Sequence, residues 1–211
     1  MADYEALKAR VQELAERDWD VPAIQARIGE FLEGGIPKKD LVPQDLLVNK
    51  QQILDRVQLR AEEYNLFARN CARSTALAVM EAFGLGNMEV IKALSPFPGF
   101  GGTGWMCGGV TGGLIALGLY FGSEDLQDDE AVRRTIVAAR EFMPRFEQQA
   151  GAVTCPKLHE AVVFGRYMDP AASPENMEAF AQEKGFAKCG VFPGTGARIA
   201  AEIILDSMQL R

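Results

Sequence analysis

The sequence lacks several patterns that would assign a function directly. It has one histidine, His159, and its 22 Lys+Arg are outnumbered by 29 Asp+Glu, which gives a formal net charge of −7. The basic residues form no run, and nucleic-acid binding needs clustered Lys and Arg, so we exclude nucleic acid as a partner. The first residues show neither a signal peptide nor a twin-arginine leader, so we expect a cytoplasmic protein.

Patterns typical of β-strands are nearly absent, and no internal repeat or low-complexity segment occurs. Apolar residues instead recur at helical spacing over most of the 211 residues. The composition, 48% hydrophobic and 24% charged, is ordinary for a globular protein. We therefore predict an all-α fold, a single-domain multi-helix bundle with an N-terminal helical extension.

The predicted extension covers residues 1–48. It contains two amphipathic helices followed by a linker in which Pro37 and Pro43 interrupt regular structure. We predict that this pair serves docking or dimerisation, so that the protein forms a homo-oligomer, and that residues 49–211 form the functional domain.

Within that domain, local signals predict several helix boundaries. Asn70 either caps a new helix or lies within a continuous one, and Gly84 ends the segment. A further amphipathic helix is predicted over 123–149, with Val132, Ile136, Val137 and Phe142 facing inward. Pro193 and Gly194 predict a break before a final helix over 197–210.

The run from Ser95 to Ser123 contains no charged residue. A membrane span is one reading of such a run, because about 18 or more apolar residues can cross a bilayer. Its first half, however, is rich in glycine and proline, and acidic rather than basic residues follow it. We predict a loop and a buried central helix, and no membrane span.

The four cysteines, Cys71, Cys107, Cys155 and Cys189, are widely separated, and no Cys-x-x-Cys pair or haem-attachment motif is present. The first three stand near predicted helix starts, where N–H groups and the helix dipole favour the thiolate. Buried, unreactive cysteines are the alternative interpretation. Because cytoplasmic thiols are kept reduced, we expect free thiols, a reversible dithiol system or metal ligands.

Cys107 opens the run Cys107-Gly108-Gly109-Val110-Thr111-Gly112, with one cysteine before it and two after. This order resembles the C_GCAxxG_C_C family over about residues 50–205, with Gly109 at the position of the motif's alanine. The resemblance implies a redox-active protein associated with oxidoreductases or transporters, without an agreed reaction.

These residues predict the site. All four cysteines are candidate catalytic residues and metal ligands, for an iron–sulfur cluster or for redox-active disulfides that serve a larger redox partner protein. Gly108, Gly109 and Gly112 form a side-chain-free face that either packs against a helix or contacts a cofactor. We predict these glycines as candidate cofactor-binding residues. Alternatives are a structural zinc site, with zinc the less favoured metal, an interaction module, or a small-molecule site beneath the glycine helix.

A glycine-rich loop and the single histidine are two further candidate features. Gly99 to Gly104 fit G-x-G-x-x-G, but no strand precedes them, so a dinucleotide site is not predicted, although their N–H groups could form an anion-binding loop near Cys107. His159 follows Cys155 by four residues and is either a proton shuttle or ligand, or a residue without a functional role.

Overall fold

The computed structural model describes residues 2–209, and within that range the chain forms α-helices, one π-helical turn and no β-strand. The all-α prediction is therefore confirmed. The helices, in chain order, are α1 (Tyr4–Glu16), α2 (Val21–Gly34), α3 (Pro43–Val48), α4 (Lys50–Ala68), α5 (Cys71–Phe83), α6 (Met88–Ala93), α7 (Gly99–Gly102), α8 (Gly108–Phe121), α9 (Asp129–Ala150), α10 (Cys155–Leu158), α11 (Pro174–Gln182), α12 (Gly185–Lys188) and α13 (Val191–Gln209). The π-helical turn, His159–Val163, continues α10 directly.

Four helices form the centre of the bundle. α13 packs against α4, α5 and α8, and α5 packs against both α4 and α8, while α9 covers the outer side of α8 and α13. The interior is filled by large apolar side chains such as Tyr64, Phe83, Phe142 and Phe146, which are fully buried. Burial of this apolar surface is the main source of the fold's stability.

The uncharged run divides as predicted into a glycine-rich loop and the buried helix α8. Over the described range, no helix has both the length and the apolar character needed to cross a membrane.

The N-terminal helices pack onto their own chain. Val11 and Leu14 of α1, and Ile24 and Phe31 of α2, belong to the same buried cluster as the central helices. The apolar faces of this pair are therefore already used within the chain.

A buried ion pair fixes α1 to α4. The carboxylate of Glu62 is fully buried and accepts hydrogen bonds from the guanidinium of Arg10 at 2.6 and 2.8 Å, with Arg17 at 3.7 Å. Burial raises the pKa of Glu62, and the two arginines oppose that rise. A buried carboxylate without such partners would be costly, so this contact orients α1 on the bundle.

Replacing Arg10 with methionine is expected to lower the free energy of unfolding by about 3 kcal/mol at pH 7, because Glu62 loses its main partner. The loss raises the pKa of Glu62 further, so the penalty is full above that pKa and shrinks as the pH falls toward it. Urea unfolding at pH 7 and pH 5 measures this. Lys8→Met, which removes an exposed pair with Glu5, is the control and should change stability by less than about 0.5 kcal/mol. Equal effects of the two substitutions would contradict the prediction.

Two predicted features of the later helices were wrong. On α9, Val132, Ile136 and Val137 are exposed, and the inward face is made by Ala131, Ala138, Phe142, Phe146 and Ala150. Small alanines allow α9 to lie close to α8 and α13, so the larger β-branched residues face outward.

The break predicted at Pro193 is also absent, because α13 begins at Val191. Pro193 lies in the first turn of α13, where a backbone N–H has no helical partner to lose. The predicted end of this helix, Leu210, lies outside the described residues.

Candidate redox site

The four cysteines, although far apart in sequence, line one cavity of about 320 Å³. Cys71 begins α5, Cys107 caps α8, Cys155 begins α10, and Cys189 follows α12. All four are free thiols; Cys107 is buried and the other three are half-buried. The bundle thus brings together the ends of four helices that the sequence separates.

Cys71 is placed by a helix break. Arg69 ends α4 in the left-handed conformation, and the Asn70 side chain accepts a hydrogen bond from the Arg73 N–H at 3.0 Å, which caps α5. Of the two sequence alternatives, the structure therefore has a new helix at Asn70. Cys71 consequently lies in the first turn of α5, where the helix dipole favours a thiolate.

Hydrogen bonds act on Cys71 in the same direction. Hydrogen bonding from the Cys107 thiol and from backbone N–H groups, which include those of Gly108 and Gly99, lowers the pKa of Cys71 against the opposing effect of burial. Gly99 has a positive φ of 56°, which a residue without a side chain adopts readily.

Cys107 lies between two other cysteines. Hydrogen bonding with the thiols of Cys155 and Cys71, together with burial, raises the pKa of Cys107 well above its ordinary value. Cys107 therefore holds its proton more strongly than Cys71, whose pKa is lowered.

Backbone hydrogen bonds connect the two segments that carry Cys107 and Cys155. The Cys107 N–H donates to the Val153 carbonyl at 2.8 Å, and the Cys155 N–H donates to the Gly104 carbonyl at 3.1 Å. These two bonds tie the segment before α8 to the segment before α10. The contact between Cys107 and Cys155 is thus built into the backbone.

Cys189 has a different partner. Its sulfur lies 3.5 Å from Nε2 of His159, and burial is the main cause that raises the pKa of Cys189 well above its ordinary value. Burial also lowers the pKa of His159 to about 4, so the imidazole is neutral at pH 7. His159 therefore contacts Cys189, and because both side chains are neutral they do not form an ion pair.

The glycines of α8 set the distance between helices. A Cβ at Gly108 would lie 2.3 Å from the Cys71 sulfur, one at Gly109 would lie 2.6 Å from the Phe192 carbonyl oxygen, and one at Gly112 would lie 2.3 Å from the Ala72 carbonyl oxygen. Their side-chain-free face is thus filled by α5 and α13, and none of the three lines the cavity. Of the two alternatives for this face, the structure has close helix packing, and the space a cofactor would need beside these glycines is occupied by protein.

Sequence reasoning did not identify the rest of the cavity wall. Its aromatic part comes from Tyr167, Phe180 and Phe186, in the segment between α10 and α13, with Arg69 and Asp169 as the charged contributors. Burial is the main cause that raises the pKa of Tyr167 to about 12. No motif or periodicity marks these residues, so the sequence carries no signal for them.

A metal site formed by the four cysteines would need ligands disposed around one ion or cluster. Within residues 2–209, no set of three or more histidine, cysteine, aspartate and glutamate side chains is disposed to hold a metal ion. Binding of a metal ion or cluster by the four cysteines would therefore require a change in their arrangement, because ligands must adopt the geometry that the ion or cluster prefers.

Comparison with known proteins gives one result. The family model described as "Putative redox-active protein (C_GCAxxG_C_C)" matches residues 69–203, more than half of the chain and the part that carries all four cysteines. No curated protein and no solved structure matches the chain. The chain therefore belongs to the C_GCAxxG_C_C family, whose description is redox activity.

Proposed function

We propose that the protein is a thiol–disulfide redox protein in which Cys71 is the attacking thiolate and Cys107 the resolving thiol. The observation that carries the proposal is that the Cys71 sulfur lies against Gly108, the residue that follows Cys107, and that both cysteines line the same cavity. A thiolate next to a second thiol is the arrangement that disulfide exchange requires.

The reaction follows from the order in which the thiols ionise. The Cys71 thiolate attacks one sulfur of an acceptor disulfide, forms a mixed disulfide and releases the first thiol of the acceptor. Loss of the negative charge on Cys71 removes a repulsion that holds the proton on Cys107. The Cys107 thiolate then attacks the Cys71 sulfur and releases the second thiol, so that one acceptor disulfide is reduced to two thiols and one protein disulfide forms.

Continued turnover needs a second reaction that returns the protein disulfide to the dithiol. A larger oxidoreductase is a suitable source of electrons, and the net charge of −7 supports docking to a basic surface on such a partner.

An iron–sulfur cluster bound by the four cysteines stays a second prediction. It is favoured by the fact that all four sulfurs line one cavity, and four thiolates are the usual ligand number for such clusters. Within residues 2–209 no group of three or more candidate ligands is disposed to hold a metal ion, so a cluster, like structural zinc, requires the cysteines to rearrange. We therefore place it after disulfide chemistry.

One experiment separates these functions. The protein is purified without oxygen and its iron, zinc and acid-labile sulfide are measured, and its thiols are then counted before and after treatment with a small disulfide. We expect a metal-free protein that loses two of its four thiols, with a Cys71–Cys107 disulfide in peptide maps. Stoichiometric iron and sulfide, or stoichiometric zinc, would overturn the proposal.

Two variants sharpen the experiment. Cys107→Ser should abolish the Cys71–Cys107 disulfide, while Cys189→Ser should keep it, because Cys189 contacts His159 and not Cys107. Loss of two thiols from Cys107→Ser, which would need a disulfide that does not involve position 107, or absence of the Cys71–Cys107 disulfide in Cys189→Ser, would contradict the assigned roles.

A further inference from the structure

We propose that the acceptor is a compact, uncharged organic disulfide that enters the cysteine-lined cavity, and not a protein disulfide or a bulky charged one. This inference rests on the proposed function and names its substrate class. It is carried by the size of the cavity, the chemistry of its wall and the depth of the reactive sulfurs.

The size of the cavity limits the ligand. Its volume of about 320 Å³ lies at the lower end of the range of about 300–1,000 Å³ that is typical of small-molecule sites. A molecule with two small substituents on a disulfide fits such a space. A peptide loop bearing a disulfide does not.

The wall of the cavity favours an apolar molecule. Most of the wall between the cysteines is aromatic, aliphatic or glycine, with side chains such as Leu158, Tyr167 and Phe180. Its uncharged polar residues are Asn65, Asn70, Ser95 and the neutral His159. Arg69 and Asp169 contribute one positive and one negative charge. A ligand with several carboxylates would find no matching set of cations, and burying unpaired charges is costly.

The sulfurs are recessed. Cys107 is only 3% exposed, and Cys71 reaches solvent only as a half-buried residue of the cavity wall. Exchange needs the attacked disulfide to approach the thiolate directly. A disulfide on the surface of another protein cannot enter, whereas a small molecule can bring its sulfurs to Cys71.

The step balances with this acceptor. The two sulfur–hydrogen bonds of Cys71 and Cys107 are lost, one sulfur–sulfur bond forms between them, and the sulfur–sulfur bond of the acceptor breaks. The two protons and two electrons appear in two released thiols. The protein dithiol is oxidised, and the organic disulfide is reduced.

The test compares three acceptors on the reduced full chain: bis(2-hydroxyethyl) disulfide, glutathione disulfide and insulin. Each rate of Cys71–Cys107 disulfide formation is divided by the rate of the same acceptor with N-acetylcysteine, which removes intrinsic reactivity. We expect the normalised rate to be at least about tenfold higher for bis(2-hydroxyethyl) disulfide, because only it fits the cavity.

A pair of adjacent alanines provides the matched control. Ala171 lines the cavity and Ala172 does not, and both are exposed, so that either substitution is compatible with folding. Ala171→Phe should remove most of the advantage of the small acceptor, and Ala172→Phe should leave it unchanged.

The outcomes distinguish the two proposals. If the Cys71–Cys107 disulfide forms but the three normalised rates are equal, or if the two phenylalanine variants behave alike, the substrate class is wrong and the thiol–disulfide function stands. If none of the acceptors produces the disulfide, the proposed function itself fails, and the substrate class with it.

Discussion

Replacing Gly112 with alanine is expected to lower the free energy of unfolding by about 3 kcal/mol, the upper part of the usual range for overpacking a core. The added Cβ would lie 2.3 Å from the Ala72 carbonyl oxygen and 2.8 Å from the Thr75 Cβ. Neither neighbour is the end of a flexible side chain, so relief requires α5 and α8 to move apart. Urea unfolding measures the loss of stability.

The same helix offers the control. A Cβ at Gly118 would meet nothing within 4 Å, so Gly118→Ala should raise stability by up to about 1 kcal/mol through helix propensity. A Gly112→Ala variant as stable as the unmodified protein would show that α5 and α8 are not as close as the structure has them, and a destabilised Gly118→Ala would show that the space beside Gly118 is not open.

The substitution at Gly112 should also change the distance between Cys71 and Cys107. Cys71 lies on α5 and Cys107 caps α8, so separation of the two helices lengthens the contact between their sulfurs. The yield of the Cys71–Cys107 disulfide under mild oxidation should therefore fall in Gly112→Ala and not in Gly118→Ala. The glycine motif, on this account, serves the redox site by fixing a distance.

Replacing Cys107 with alanine is expected to slow alkylation of Cys71 at pH 7 at least severalfold. Hydrogen bonding from the Cys107 thiol makes the largest contribution that lowers the pKa of Cys71. Its removal raises that pKa, so a smaller fraction of Cys71 is thiolate at any pH below it. Rates of iodoacetamide modification at the Cys71 peptide, measured against pH, should show a profile displaced to higher pH.

Serine at the same position is the matched variant. Cys107→Ser keeps a hydroxyl donor next to the Cys71 sulfur, so its profile should lie closer to that of the unmodified protein than the profile of Cys107→Ala does. If both variants leave the profile unchanged, the hydrogen bond from Cys107 does not control Cys71, and the assigned order of ionisation is wrong.

Local signals predicted much of the helical architecture. Asn70 was a candidate cap and does cap α5, and Gly84 was a predicted helix end and adopts a φ of 64° there. Each signal acts within one turn of helix, because a side-chain cap or a positive φ satisfies backbone groups of the same segment. Such signals therefore predict helix ends without any knowledge of the neighbouring helices.

Sequence signals whose meaning depends on packing partners gave less accurate predictions. Four residues of α9 were assigned to the core, and of these Phe142 is buried whereas Val132, Ile136 and Val137 are exposed. Which face of an amphipathic helix is buried depends on how closely its neighbours approach. The same reason explains Pro193, whose effect on α13 depends on its place in the first turn.

The sequence by itself determined the all-α class, the position of three cysteines at helix starts and the family motif around Cys107. Only the tertiary structure decided that the Cys71 sulfur lies against Gly108 at the start of α8, that Cys189 contacts His159, and that all four cysteines line one cavity. The cysteines lie on separate helices, so their distances depend on how those helices pack. That packing is fixed where the glycines of α8 meet the backbones of α5 and α13, contacts that no segment of the chain specifies alone.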